Sequence, residues 1–351
     1  MKAYRTKLLV TAAIVVLGAL HAADHQVQAQ EGTRSTSKVG TTAAQFLKIP
    51  VGARAIGMGT AQAAVSGDIS AIHWNPAALS RLPMSAELTF NHAAWLADIT
   101  YDFAAGAMTI GDIGTLGLYF VLLSTPEQPV RTVAFPEGDG RRYNASSLAI
   151  GLSYARNLTD RFSIGFNAKF VQESIWSESA TGFAFDVGTL YLSPIKGLSL
   201  GAAISNFGTN MRMDGRDLYF NNTPGDPGGG PQNIESEYRT NDYPMPLQFR
   251  VGLAYDYRPV EDIRATLATD ATVPNDNTEY VNAGLEVGWR EIVFGRIGYK
   301  SLFLRDSEQG LTWGVGLHYA ITGFGTIKLD YGFADYGRLK DVQYLSVGLR
   351  L

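Results

Sequence analysis

Eight charged residues in the second half of the chain, Arg250, Asp256, Arg264, Asp270, Glu286, Arg290, Lys328 and Asp330, all stand at even positions among apolar neighbours. Lys169 and Arg350 extend the set. Opposed charges on one face of neighbouring strands can neutralise each other or mark a track for a polar substrate; the lattice is the preferred reading, because facing charges support one another. Acid–base catalysis would need more. His21, His25, His73, His92 and His318 are not spaced as metal pairs. His318 could serve as a general base, but there is no Gly-x-Ser-x-Gly element, and catalysis needs a constellation of groups.

The remaining motifs are equally plain. Gly225 to Gly230 is not followed by Lys-Ser/Thr, and Gly52 to Gly59 opens no phosphate loop between a strand and a helix. Asn275, Asp276 and Asn277 with Glu279 could hold calcium, but the glycine and spacing of a calcium loop are missing, so a solvated hairpin is preferred. The chain is read as a non-enzyme with no cofactor and no metal. It has no cysteine, which removes disulfides and thiolate chemistry. Net charge is −4, and −6 once residues 1–29 with Lys2, Arg5, Lys7 and Asp24 are removed, so there is no electrostatic case for nucleic acid.

The elements that carry the charges are strands. Leu311, Trp313, Val315, Gly316, Leu317 and Tyr319 belong to an eleven-residue run with large apolar side chains at odd positions and small or polar ones at even positions. The same alternation fills Leu247 to Tyr257, Val281 to Trp289, Ile327 to Phe333 and Leu345 to Leu351. Segments of about ten residues with this period cross a bilayer as tilted strands, one face in lipid and the other in a lumen. Leu317→Arg should therefore impair assembly, and Gly316→Ser should be far milder.

Fourteen strands are predicted, near 86–95, 98–110, 114–125, 146–157, 162–173, 182–192, 198–207, 246–258, 262–273, 279–290, 292–300, 311–321, 326–335 and 342–351. The even-numbered connections are short. The long segments 126–145, 208–245 and 301–310 all fall on odd ones, as external loops do in outer-membrane barrels. The expected fold is an all-β transmembrane barrel over 85–351, with the N-terminal segment and Leu351 both periplasmic. Tyr255, Tyr257, Trp289, Trp313, Tyr319, Tyr331 and Phe333 are candidates for interface girdles, or else pack against loops. In the longest loop, Met211, Met213, Leu218, Tyr219, Phe220 and Tyr238 are apolar anchors for a lid over the mouth or for docking another protein.

Lys2, Arg5 and Lys7 followed by the apolar run Leu8 to Leu20 read as a signal peptide, cut after Ala29. Residues 30–39 read as a disordered lead-in. Residues 40–84 do not alternate. Asn75 before Pro76 should end one short helix and start another. A barrel of this size leaves room in the lumen, and this small, glycine-rich segment should fill it as a hatch; a periplasmic extension is the alternative.

Phe46, Leu47 and Lys48, then Gly52, Arg54, Gly57, Met58 and Gly59, then Asp68, then Trp74, Asn75, Pro76 and Ala77 resemble the N-terminal signature of the PorV/PorQ family. That family is similar to the FadL-type fatty-acid channels, with a fourteen-stranded barrel and a hatch in the lumen. The resemblance implies a component of type IX secretion that holds or escorts secreted proteins at the outer membrane. Its partners would be secretion-machinery proteins and cargo met through external loops, besides outer-membrane lipid. The alternative is a FadL-like transporter of long-chain fatty acids or other hydrophobic small molecules.

Overall fold

The structure is a computed structural model that describes residues 38–83, 85–222, 234–304 and 307–351. The expected signal peptide, residues 30–37 of the lead-in and the Pro224 to Pro231 core of the longest loop lie outside the described residues.

Residues 39–351 make one compact unit. Its first seven long strands are β1 Ala86–Ala94, β2 Thr100–Ile110, β3 Gly114–Ser124, β4 Ala145–Asn157, β5 Phe162–Ile175, β6 Glu178–Leu192 and β7 Leu198–Gly208. The second seven are β8 Gln248–Val260, β9 Ile263–Pro274, β10 Tyr280–Trp289, β11 Val293–Leu302, β12 Leu311–Ile321, β13 Gly325–Asp335 and β14 Asp341–Arg350. Each pairs antiparallel with its neighbours in sequence, and β14 returns to β1 from Glu87↔Arg350 to Ala94↔Gln343, closing a fourteen-stranded barrel. Every expected strand is present. The largest difference is at β6, which begins at Glu178 because Trp176, at a φ of 56°, makes a tight turn where a loop was expected.

The alternation has its expected physical meaning. Trp313, Val315 and Leu317 are exposed on the outer face, while Thr312, Gly314 and Gly316 between them are buried. Fully paired strands leave no unsatisfied backbone for lipid to meet. Outward aromatics gather near both ends of the strands: Trp313 stacks on Phe333 at a ring separation of 5.4 Å towards one end, and Tyr255 on Tyr257 at 6.5 Å towards the other. The long connections 125–144, 209–247 and 303–310 share one end of the barrel, and the short turns and Leu351 share the other.

Residues 42–82 run through the interior. They form short pieces only: a 3-10 turn Gln45–Lys48, the helices Ala53–Gly57 and Ala71–Trp74, and a second 3-10 turn Pro76–Arg81. The break at Asn75 is the expected one. Asn75 is extended, Pro76 follows at the first position, and the Asn75 Oδ1 accepts from Ala77 N at 3.1 Å. The segment starts at the long-loop end, where Ala43 N donates to Pro244 O at 3.0 Å, and finishes at the short-turn end, where Arg81 donates to Asp160 O at 2.9 Å. The described start of the segment thus lies opposite Leu351, not beside it as expected, because the chain traverses the lumen before it enters β1.

Candidate functional site

The hatch fits the wall because the wall offers it glycines. A Cβ at Gly165 would collide with the backbone of Pro76 and Ala77, and one at Gly298 with that of Met58 and Gly59. These small inward-facing residues are seats for hatch backbone. Gly316 is different: a Cβ there would strike Asp330 Oδ1 and lie 2.9 Å from Arg296 Nη1. Asp330 and Arg296 are ion-paired at 2.6 Å, so the close approach argues against the expectation that Gly316→Ser is far milder than Leu317→Arg.

Two charge clusters tie the hatch to the wall. In the first, Arg54 grips Glu286 with two hydrogen bonds of 2.9 Å, from Nε and Nη2. Glu286, fully buried on β10, also takes Arg296 Nε at 2.7 Å and Arg264 Nη2 at 3.1 Å. Arg296 continues to Asp330 at 2.6 Å, and His318 Nε2 sits 3.3 Å from the same carboxylate. In the second, Lys328 bridges Asp68 and Glu87, the latter at 2.7 Å, and Arg350 reaches Glu87 at 3.1 Å. A buried carboxylate with two or three cations on it costs desolvation and repays it only through such complete hydrogen bonding.

Ties other than ion pairs complete the seat. Asp270 accepts from the backbone N–H of Gln62 and Ala63 at 2.6 and 2.7 Å. Asn75 Nδ2 donates to Ala63 O at 2.6 Å and to Thr189 O on β6 at 2.9 Å. Trp74 donates from Nε1 to Val51 O at 3.2 Å, and the Arg250 guanidinium lies over its ring at 4.9 Å. Gly52, at a φ of 86°, starts the helix that carries Arg54, and Gly59, at 61°, ends the turn that presses Met58 to the wall; Gly57 lies against Gly314. Pro76 and Ala77 rest on Gly165.

At the long-loop end, Asp276 is the anchor. It accepts from Lys48 Nζ at 2.7 Å, Gln45 Nε2 at 2.6 Å and Thr42 Oγ1 at 3.0 Å. Burial works to raise its carboxyl, but Lys48 and the two neutral donors hold it below the usual carboxylate range.

Of the eight charges singled out from sequence, Arg250, Arg264, Asp270, Glu286, Lys328 and Asp330 face the lumen. Asp256 is half exposed at the rim beside Arg264. Arg290 does not face the lumen: at a φ of 55° it belongs to the tight turn before β11 and meets Asp262 at 3.3 Å in solvent. Sequence reading passed over Arg296, Glu87, Asp186 and Lys300. All four occupy inward positions of their strands, so the alternation could have found them.

Small cavities lie between hatch and wall around Asp68, Asn91 and Lys328 and around His73, Lys169 and Arg250, each of these of about 10 Å³. That is room for about one water. The long-loop mouth holds a larger cavity of about 360 Å³ lined by Trp95, Leu96, Tyr280, Tyr336 and Leu339 with Lys48 and Lys300.

A closed, even-stranded barrel with an apolar outer face, aromatic bands and a lumen filled by its own N-terminal segment is an outer-membrane β-barrel. Within that class the chain belongs to the PorV family: the family model described as "Type IX secretion system protein PorV" matches residues 32–224, more than half of its length. No curated protein matches it in sequence. Among solved structures it is similar to the CymD monoaromatic hydrocarbon channel, at 12% identity and a TM-score of 0.56, over 86% of this chain and 98% of that one. It is also similar to the P. putida toluene transporter TodX, at 14% identity and a TM-score of 0.55, with the same coverage. The Ralstonia pickettii toluene transporter TbuX follows at 12% identity and a TM-score of 0.52, again over 86% and 98%. At these identities the likeness is one of fold.

Proposed function

We propose that this barrel is a component of type IX protein secretion that holds or escorts exported proteins at the outer membrane, acting through its long-loop end. That end is external, and Leu351 is periplasmic. The observation that carries the reading is the seated hatch. A lumen occupied by a segment that is ion-paired to the wall suits a rigid platform better than a conduit.

A FadL-like carrier of hydrophobic molecules is the second reading, favoured by the apolar and aromatic lining of the mouth cavity. It needs an exit through the wall. The irregularities at Phe185/Val187 and Val281/Ala283 are closed by side chains: Asp186 accepts from Asn206 N at 2.7 Å, and Asn282 accepts from Ser301 N at 2.8 Å. Deleting the gene and measuring both the secreted proteome and long-chain fatty-acid uptake separates the two. Loss of secreted proteins that carry type IX sorting domains, with normal uptake, is the expected result; normal secretion with lost uptake would overturn it.

A further inference from the structure

The short-turn end of the barrel carries its charge unevenly. Strands β4, β6, β8, β10 and β12 each present an outward aromatic side chain as they reach it: Tyr154, Tyr191, Tyr257, Trp289 and Tyr319. Rings at that level mark the boundary between hydrocarbon and headgroups. After four of the five, a cation follows within five residues: Arg156, Lys196, Arg258 and Arg290. These cations stand just beyond the aromatic level, where lipid phosphates lie.

They are not equally compensated. Arg258 pairs with Glu291 at 3.0 Å and Arg290 with Asp262 at 3.3 Å. Arg156 and Lys196, together with Arg161 in the turn before β5, are exposed and have no ion pair among the described residues. Behind them Arg81 spends its hydrogen bonds on neutral acceptors, Ser163 Oγ at 3.0 Å and Asp160 O at 2.9 Å. Four cations against Asp160 alone leave this sector at +3, while Arg258 and Arg290 against Glu261, Asp262 and Glu291 leave theirs at −1. The turns 158–161 and 193–197 also expose Leu158 and Ile195, at 53% and 62%, although turn tips that face water are ordinarily polar. Basic and apolar side chains interleaved at a membrane boundary put the apolar ones among acyl chains and the basic ones at phosphates.

We propose that the ends of β4 to β7, with Arg156, Arg161 and Lys196, form a binding site for the phosphate headgroup of an anionic phospholipid in the leaflet at this end of the barrel. Four adjacent strand ends span about 15 Å, which is room for one or two such headgroups. A zwitterionic headgroup brings its own cation and gains little here. An acidic protein segment shares the charge, but Leu158 and Ile195 continue the lipid-facing surface of the wall, and that continuity selects a lipid. The site needs only a barrel in a bilayer and is independent of the secretion reading.

The test titrates the full mature chain, folded in detergent, with phosphatidylglycerol and with phosphatidylcholine of the same chains, and reads the bound lipid by native mass spectrometry. Each cation at a lipid phosphate is worth about fivefold, so phosphatidylglycerol should bind at least about tenfold more tightly than phosphatidylcholine. The triple variant Arg156→Gln, Arg161→Gln, Lys196→Gln, checked for the folded state by its gel mobility before and after heating, loses at least about tenfold for phosphatidylglycerol and nothing for phosphatidylcholine. The charge-keeping triple Arg156→Lys, Arg161→Lys, Lys196→Arg retains most of the affinity. Arg258→Gln with Arg290→Gln, at the same end but ion-paired, changes it by less than about twofold. Glycerol phosphate at equal concentration does not compete, since it lacks the chains. Equal binding of the two lipids would overturn the site, as would unchanged selectivity in the folded triple Gln variant or an equal loss in the Arg258 and Arg290 variant. Full competition by glycerol phosphate would also overturn it, in favour of a soluble phosphate. Failure of the secretion experiment leaves this result untouched, and the reverse also holds.

Discussion

Glu286→Gln is the substitution that most directly asks what holds the hatch. The carboxylate receives Arg54 from the hatch and Arg264 and Arg296 from the wall. Two of these keep a partner when it is neutralised: Arg296 still has Asp330 at 2.6 Å, and Arg264 still has Glu291 at 2.9 Å. Arg54 is left with only the Ser66 carbonyl at 3.3 Å. One buried cation is stranded, not three, so the loss is that of a single broken buried pair, about 3–5 kcal/mol, or roughly two to four decades in the equilibrium. The hatch can escape part of that cost by leaving its seat. The assay is equilibrium denaturation of the refolded barrel in detergent, joined to limited proteolysis of residues 42–82. The double variant Arg54→Gln with Glu286→Gln removes the stranded charge and should be more stable than Glu286→Gln alone. If Glu286→Gln costs less than about 1 kcal/mol, or if the two substitutions simply add, Arg54 does not anchor the hatch through Glu286.

Leu317→Arg places a charge on the lipid face and should cost about 2–4 kcal/mol in vesicle refolding. Gly316→Ser should also destabilise, by about 1–3 kcal/mol through overpacking against Asp330 and Arg296; a neutral effect would show that this cluster yields. Because the chain has no cysteine, Val39→Cys and Ile113→Cys, both exposed, can be labelled with an impermeant maleimide. Val39→Cys should react on intact cells and Ile113→Cys only after permeabilisation, and the opposite pattern would invert the topology. Asp276 has its carboxyl lowered by Lys48, so its contribution is complete above the ordinary carboxylate value of about 4 and is lost as pH falls through the lower folded value. Hydrogen exchange at residues 42–48 should therefore be unchanged between pH 7 and 5, after correction for intrinsic rates, and accelerate only below about pH 4; loosening already at pH 6 would contradict the latch.

The wall was legible because lipid imposes a strict two-residue period, and a slip of one residue would turn every apolar side chain inward. The same period exposed most of the lumen charges. It failed at Arg290, where positive φ at Arg290 and Glu291 turns the chain and breaks the alternation. It also left Arg296 and Lys300 unremarked, although they lie on an expected strand. The seat of the hatch was not legible. Gly165, Gly298 and Gly314 look alike in sequence whether they face water or a backbone at contact distance, and only the neighbour's position separates these cases. The signature residues Arg54, Trp74 and Asn75 stood out, but their partners Glu286, Val51 and Thr189 lie 23 to 232 residues away.

The traverse of the lumen has a consequence for the order of assembly. Residues 42–82 enter at one end and reach β1 at the other, and β1 is the strand on which β14 closes. The segment is synthesised before any strand, and β14, which seals the cylinder against β1, is synthesised after all the others. Seats as tight as those at Gly165 and Gly298 leave no clearance for a folded segment to slide in lengthwise afterwards. The ring must therefore curl around its own contents, so the hatch acts as the mandrel on which the last strand finds the first.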